Sequence, residues 1–144
     1  MTDDFDLARF VTAQDQGATY AAALAELRAG RKRSHWMWFV FPQLRGLGRS
    51  TTAQYYGVSG VAEARAYLAH PVLGPRLLES SRALTDLSSG DPAEVLGQTD
   101  ALKLRSSMTL FAHASNDPET RPVFEAVLRQ YFGGAEDAAT LERL

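Results

Sequence analysis

Three groups of residues in this chain have side chains and spacing suited to holding an anion together with a flat ring. The first is Arg31-Lys32-Arg33-Ser34-His35-Trp36-Met37-Trp38-Phe39-Val40-Phe41-Pro42-Gln43, which concentrates three cations, a histidine, both tryptophans and two phenylalanines in one run. Arg31 and Lys32 would meet phosphate oxygens. Trp38, read as sharing a helical face with His35, would stack on a base or nicotinamide ring, a contact that contributes roughly 1–3 kcal/mol per base in single-strand binders. The plainer reading makes Trp36, Trp38, Phe39 and Phe41 core. Against it, a buried indole N–H needs a partner, and two indoles so close cannot easily face the same core.

The second group is the turn Gly46-Leu47-Gly48-Arg49-Ser50. Gly46 and Gly48 let backbone approach a ligand, and a helix starting at Ser50 would aim free N–H groups at a phosphate. Arg49 would add a bidentate donor, and Tyr55 a second stacking surface. The third glycine of a dinucleotide fingerprint and the lysine of a P-loop are both missing, so an ordinary tight turn with an N-cap remains the alternative. The third group is Asp100, Lys103 and Ser107, at i, i+3 and i+7 on one face of a helix. Lys103 would neutralise phosphate, and Asp100 is the best general base or water-orienting carboxylate on offer. The bland alternative is an exposed Asp–Lys pair worth a few tenths of a kcal/mol. Ser106, Ser107 and Thr109 are unusual in a helix interior, where hydroxyls compete for backbone bonds.

His35 is the only histidine inside this suspected site, as an acid/base group or as a hydrogen-bonded core residue. His35, His70 and His113 lack metal-ligand spacing, and no metal or cofactor is expected. Without cysteine there is no thiolate nucleophile, and no Gly-x-Ser-x-Gly elbow suggests a serine hydrolase.

These groups must be positioned by helices. Leu7, Phe10 and Val11 form an amphipathic face after an acidic start. Tyr20, Ala23, Leu24 and Leu27 form another that Gly30 would cap. The aromatic run predicts a two-turn helix capped by Ser34 and ending before Pro42. Further short helices are expected over 50–56, over 61–69 with Ser59 as cap, and after His70-Pro71 up to Gly90. Asp91-Pro92-Ala93-Glu94 is a capping box. A helix over 99–114, one starting at Asp117-Pro118 and a last one capped by Asp137 complete an all-α, single domain spanning residues 1–144.

Net charge is -2, hydrophobic residues make up 45% and charged ones 22% of the 144 residues, which is ordinary for a globular chain. The acidic balance argues against nucleic acid as a partner. No apolar run approaches the ~20 residues of a membrane span. The start does not resemble a signal peptide, so a cytoplasmic location is expected.

Taken together, Ser34-His35-Trp36-Met37-Trp38-Phe39, Phe41-Pro42-Gln43, Gly46-Leu47-Gly48-Arg49-Ser50, Tyr67-Leu68-Ala69-His70-Pro71-Val72-Leu73-Gly74 and Lys103-Leu104-Arg105-Ser106-Ser107-Met108-Thr109-Leu110-Phe111 resemble a bacterial and fungal family catalogued as domain of unknown function 1810. The resemblance runs from about Leu7 to Leu144. It implies a compact, mainly helical, cytoplasmic protein and brings no established activity. The calpastatin label some members carry does not fit, since such an inhibitor would be expected to be disordered. A looser association links the family with small helical domains that process NAD and ADP-ribose. This chain does not show their motifs residue by residue, so that link serves only to choose a ligand class.

The leading expectation is therefore a pocket for a phosphate-bearing, nucleotide-type ligand such as ADP-ribose. If the protein is catalytic, the expected reaction is metal-independent hydrolysis of an N-glycosidic bond, with Asp100 or His35 handling the proton. Two alternatives stand beside it. One is a protein–protein interaction module using the aromatic run as a hot spot. The other is binding of single-stranded nucleic acid.

Overall fold

The computed structural model describes residues 3–144. Capping chemistry sets most helix boundaries. Helix α1 (Ala8–Asp15) starts where the Asp3 carboxylate accepts from the Leu7 and Ala8 N–H groups at 2.6 and 2.9 Å. A 3-10 turn leads into α2 (Thr19–Ala29), which ends at Gly30 in the left-handed region, φ 76°. Ser50 caps α4 (Thr51–Tyr55), accepting from Ala53 N–H at 3.0 Å. Asp91 accepts from Ala93 and Glu94 N–H at the head of α7 (Pro92–Leu96). Asp137 does the same for Thr140 at the head of α10 (Ala138–Arg143).

Two starts and one cap differ from the sequence expectation, each for a local reason. The two-turn helix over the aromatic run shrinks to a single turn, α3 (Met37–Val40), because Ser34 gives both its N–H and its hydroxyl to Glu26 instead of capping. Ser59 is likewise diverted: its N–H and hydroxyl donate to Glu63, so α5 keeps its expected range (Val61–Ala69) but has Gly60, not Ser59, at its cap position. Asp117 first closes a turn with the N–H groups of Thr120 and Arg121, which delays α9 to Arg121–Phe132. His70 does more than interrupt the chain. Its Nδ1 accepts from Val72 and Leu73 N–H at 3.1 and 3.3 Å, satisfying the head of α6 (Leu73–Thr85).

Helix α8 (Gln98–Ala114) is the central element, packed against α5, α7, α9 and α10. Leu104, Met108 and Phe111 on its inner face are fully buried, and the Phe111 ring meets Tyr67 of α5 and Phe124 of α9. The fold is a single compact all-α domain. Among the described residues no strand forms; residues 43–45 and 58 make one isolated bridge, through Arg45 N–H to Val58 C=O and Val58 N–H to Gln43 C=O. No helix among the described residues is long and apolar enough to cross a membrane.

A sealed ionic cross-link fixes the N-terminal third. The Arg9 guanidinium bonds Glu63 at 2.9 Å and donates to the carbonyls of Phe5, Asp6, Tyr55 and Gly57, while the other Glu63 oxygen accepts from Ser59. A buried ion pair persists only when its remaining donors and lone pairs are satisfied in this way.

Candidate functional site

The turn at Gly30 folds the chain back over the end of α2. Arg31 N–H bonds Glu26 C=O, and Lys32 N–H bonds Val95 C=O of α7 at 2.8 Å. That second bond directs the Lys32 side chain at the first turn of α8. There its ammonium meets Asp100 at 2.9 Å, and Lys103 approaches the other oxygen of the same carboxylate at 3.4 Å. Each ammonium also lies over an indole: Lys32 is 5.3 Å from the Trp36 ring centroid and Lys103 is 5.0 Å from that of Trp38. One carboxylate thus holds two lysines, and each lysine covers one tryptophan. The side chains of Lys32, Asp100 and Lys103 retain 9%, 18% and 22% of their accessibility, so this is a partly shielded platform.

The two indoles have different fates. Trp36 is sealed in the core, its N–H donated to Glu26 at 2.9 Å. Trp38 is half-buried and keeps part of its surface toward solvent. Glu26 is the residue that sequence reasoning missed. Its carboxylate accepts from Arg33 N–H, Ser34 N–H, the Ser34 hydroxyl and the Trp36 indole. Burial pushes its pKa up, but the bonds from the Ser34 hydroxyl, Arg33 N–H, the Trp36 indole and Ser34 N–H outweigh that and hold it at about 2. A signal for it exists in the chain: Trp36 needs an acceptor, and Glu26 is the acidic residue nearest to it in sequence.

The remaining expected site residues stand elsewhere or apart. Arg31 and Arg49 are exposed, with no carboxylate within ion-pair distance among the described residues. His35 lies before α3 and is exposed, so it does not share a helical face with Trp38. Tyr55 is exposed; its ring packs edge-on against Tyr56 at 4.8 Å rather than opposite Trp38. Gly46, at φ 99°, backs onto the Arg143 guanidinium, and a methyl group on Gly48 would sit 2.6 Å from the Ala53 methyl. Crowding at Gly48, and a five-residue α4 whose Ala53 N–H is already capped by Ser50, leave little of a phosphate cradle there. No hydrogen bond, ion pair or ring contact joins this turn to the lysine–indole platform among the described residues. Ser107 shares the helical face of Asp100 and Lys103 but is fully buried, and its hydroxyl has no hydrogen-bond partner. Ser106 and Thr109 turn back to the carbonyls of Leu102 and Arg105, the local bonding that hydroxyls in helices favour.

Two cavities open away from the platform. One of about 730 Å³ lies between α1 and α5, and one of about 310 Å³ lies where α5 approaches the end of α8. No group of three or more potential metal-ligating side chains occurs among the described residues.

A family model described as protein of unknown function, DUF1810, matches residues 4–144. The chain belongs to the DUF1810 family. A solved structure of the conserved hypothetical protein Rv1873 from Mycobacterium tuberculosis, determined at 1.38 Å, is similar over 99% of this chain and 98% of that one, at 51% identity and a TM-score of 0.93. No curated protein matches. The DUF1810 match covers every segment of the platform: the Gly30 turn, the tryptophan run and the head of α8.

Proposed function

We propose that this DUF1810 protein binds a small phosphate-bearing ligand with a flat ring, an ADP-ribose or NAD-derived compound being the first to test, on the platform of Lys32, Asp100, Lys103 and Trp38. The observation that carries the reading is the convergence of two ammoniums from distant segments on one carboxylate, beside an indole that is half open. Two lysines against one aspartate leave an excess positive charge, and each ammonium has three donors of which the carboxylate uses only part. An incoming phosphate replaces Asp100 at the longer, 3.4 Å contact with Lys103, while the ring of the ligand stacks on Trp38.

Local charge supports the same reading. Between Glu26 and Glu63 the chain carries Arg28, Arg31, Lys32, Arg33, Arg45 and Arg49 and no acidic residue, although its net charge is -2. This run of unopposed cations lies in the stretch that supplies Lys32 and Trp38 to the platform. If the protein turns its ligand over, Asp100 is the carboxylate in contact with both lysines, and hydrolysis of an N-glycosidic bond is the reaction to assay. The alternative of an aromatic hot spot for a protein partner is weakened by burial of Trp36, Phe39 and Phe41.

The test is a set of thermal melts with ADP-ribose, NAD, AMP and inorganic phosphate. A ligand at 100 times its Kd stabilises the folded state by ~2.7 kcal/mol through mass action. The shift should appear with ADP-ribose and vanish in Lys103→Met. A flat response across the panel would remove the nucleotide reading.

A further inference from the structure

The hollow between α1 and α5 is separate from the lysine–indole platform and has a different chemistry. Its walls are built by Phe5, Ala8 and Val11 on one side and Ala66 and Ala69 on the other. The alanines leave space that longer side chains would fill, and about 730 Å³ falls within the ~300–1,000 Å³ typical of small-molecule sites.

The charges on its lining have one sign. Asp3 and Asp4 stand at the cavity, and among the described residues His70 is the only basic side chain in the lining. His70 Nδ1 accepts from the Val72 and Leu73 N–H groups, an arrangement made by the neutral ring, whose proton then sits on Nε2. Asp3 is bonded to the head of α1, whereas Asp4 is exposed and forms no ion pair among the described residues. Among the described residues of its lining the formal charges are two carboxylates, and an apolar trough of that kind complements a molecule with an apolar body and a protonated amine.

We propose that this trough is a binding site for small amphiphilic amines, the apolar body lying between α1 and α5 and the ammonium against Asp3 and Asp4. The experiment uses three probes with the same chain and different heads, decylammonium, decanol and decanoate, below their micellar concentrations. Binding is followed by NMR at the methyl groups of Ala66 and Ala69. Decylammonium should saturate these shifts about tenfold more tightly than decanoate, with decanol between them. Asp4→Asn should lower that ratio severalfold. Ala69→Trp, at an exposed position on the wall, should block all three probes without changing the melting temperature. Decanoate binding as tightly as decylammonium would overturn the proposal, as would shifts located away from the trough or no saturation with any probe. So would a dimer in sedimentation that Ala69→Trp disrupts, because the occupant would then be a second copy of the chain.

Discussion

The protein contains two ionic clusters with opposite designs. At Arg9–Glu63 the guanidinium also donates to four backbone carbonyls, both carboxylate oxygens are used, and the side chains are 4% and 2% accessible. At Lys32–Asp100–Lys103 two ammoniums share one carboxylate, donors remain unspent, and solvent reaches all three side chains. The first cluster cross-links α1, α5 and the segment between Tyr55 and Ser59. The second holds charge where a solute can reach it. The difference suggests that saturated ion pairs lock a fold, and that unsaturated ones at the rim of a core are where binding is to be sought.

That contrast can be broken or sharpened by substitution. The largest effect should come from Glu63→Ala, which strands the Arg9 charge in the interior. Urea unfolding should show a loss of ~3–5 kcal/mol, the usual cost of removing one partner of a buried pair. Trp36→Ala should cost a similar ~3–5 kcal/mol by opening a cavity and leaving Glu26 one donor short, and Trp38→Ala should cost clearly less. Lys103→Met should change stability by less than ~1 kcal/mol, as for other solvent-reached pairs, while removing ligand-induced stabilisation. If Lys103→Met destabilises as much as Glu63→Ala, the two clusters are the same kind of object and the contrast fails.

A further effect is a slope in pH. Glu26 has its pKa depressed from 4.5 to about 2 in the folded state, so its contribution to stability is complete above about 4.5. It is lost as pH falls from there toward about 2, because the unfolded state takes up the proton first. Acid unfolding of Glu26→Gln should lack that component of the slope. An unchanged slope would mean that Glu26 is not the group anchoring Trp36 and Ser34.

Much of the scaffold was legible in the chain because caps are local. Ser50, Asp91, Asp137 and Gly30 act within four residues of where they stand, and each sits at a helix end as its chemistry predicts. Where a side chain had a competing partner, the local reading misassigned the cap: Ser34 and Ser59 satisfy carboxylates of Glu26 and Glu63 instead, and only at Ser34 did the helix boundary move with it. The candidate site was legible by residue type more than by geometry. Lys32, Trp38, Asp100 and Lys103 converge, but helical periodicity alone could not reveal that Lys32 N–H is tied to Val95, the long-range bond that swings it onto Asp100. Tyr55 went elsewhere because its backbone carbonyl is bound by Arg9 and its ring rests on Tyr56. Arg9 itself reads as a polar residue on a helix, and nothing near it in sequence marks it as buried.

Two tryptophans two residues apart have different surroundings, and their indole N–H resonances report on them individually. An NMR titration with ADP-ribose should move the Trp38 indole signal in a saturable way and leave the Trp36 signal, bound to Glu26, in place. Movement of neither signal, or an identical Trp38 response in Lys103→Met, would contradict the account.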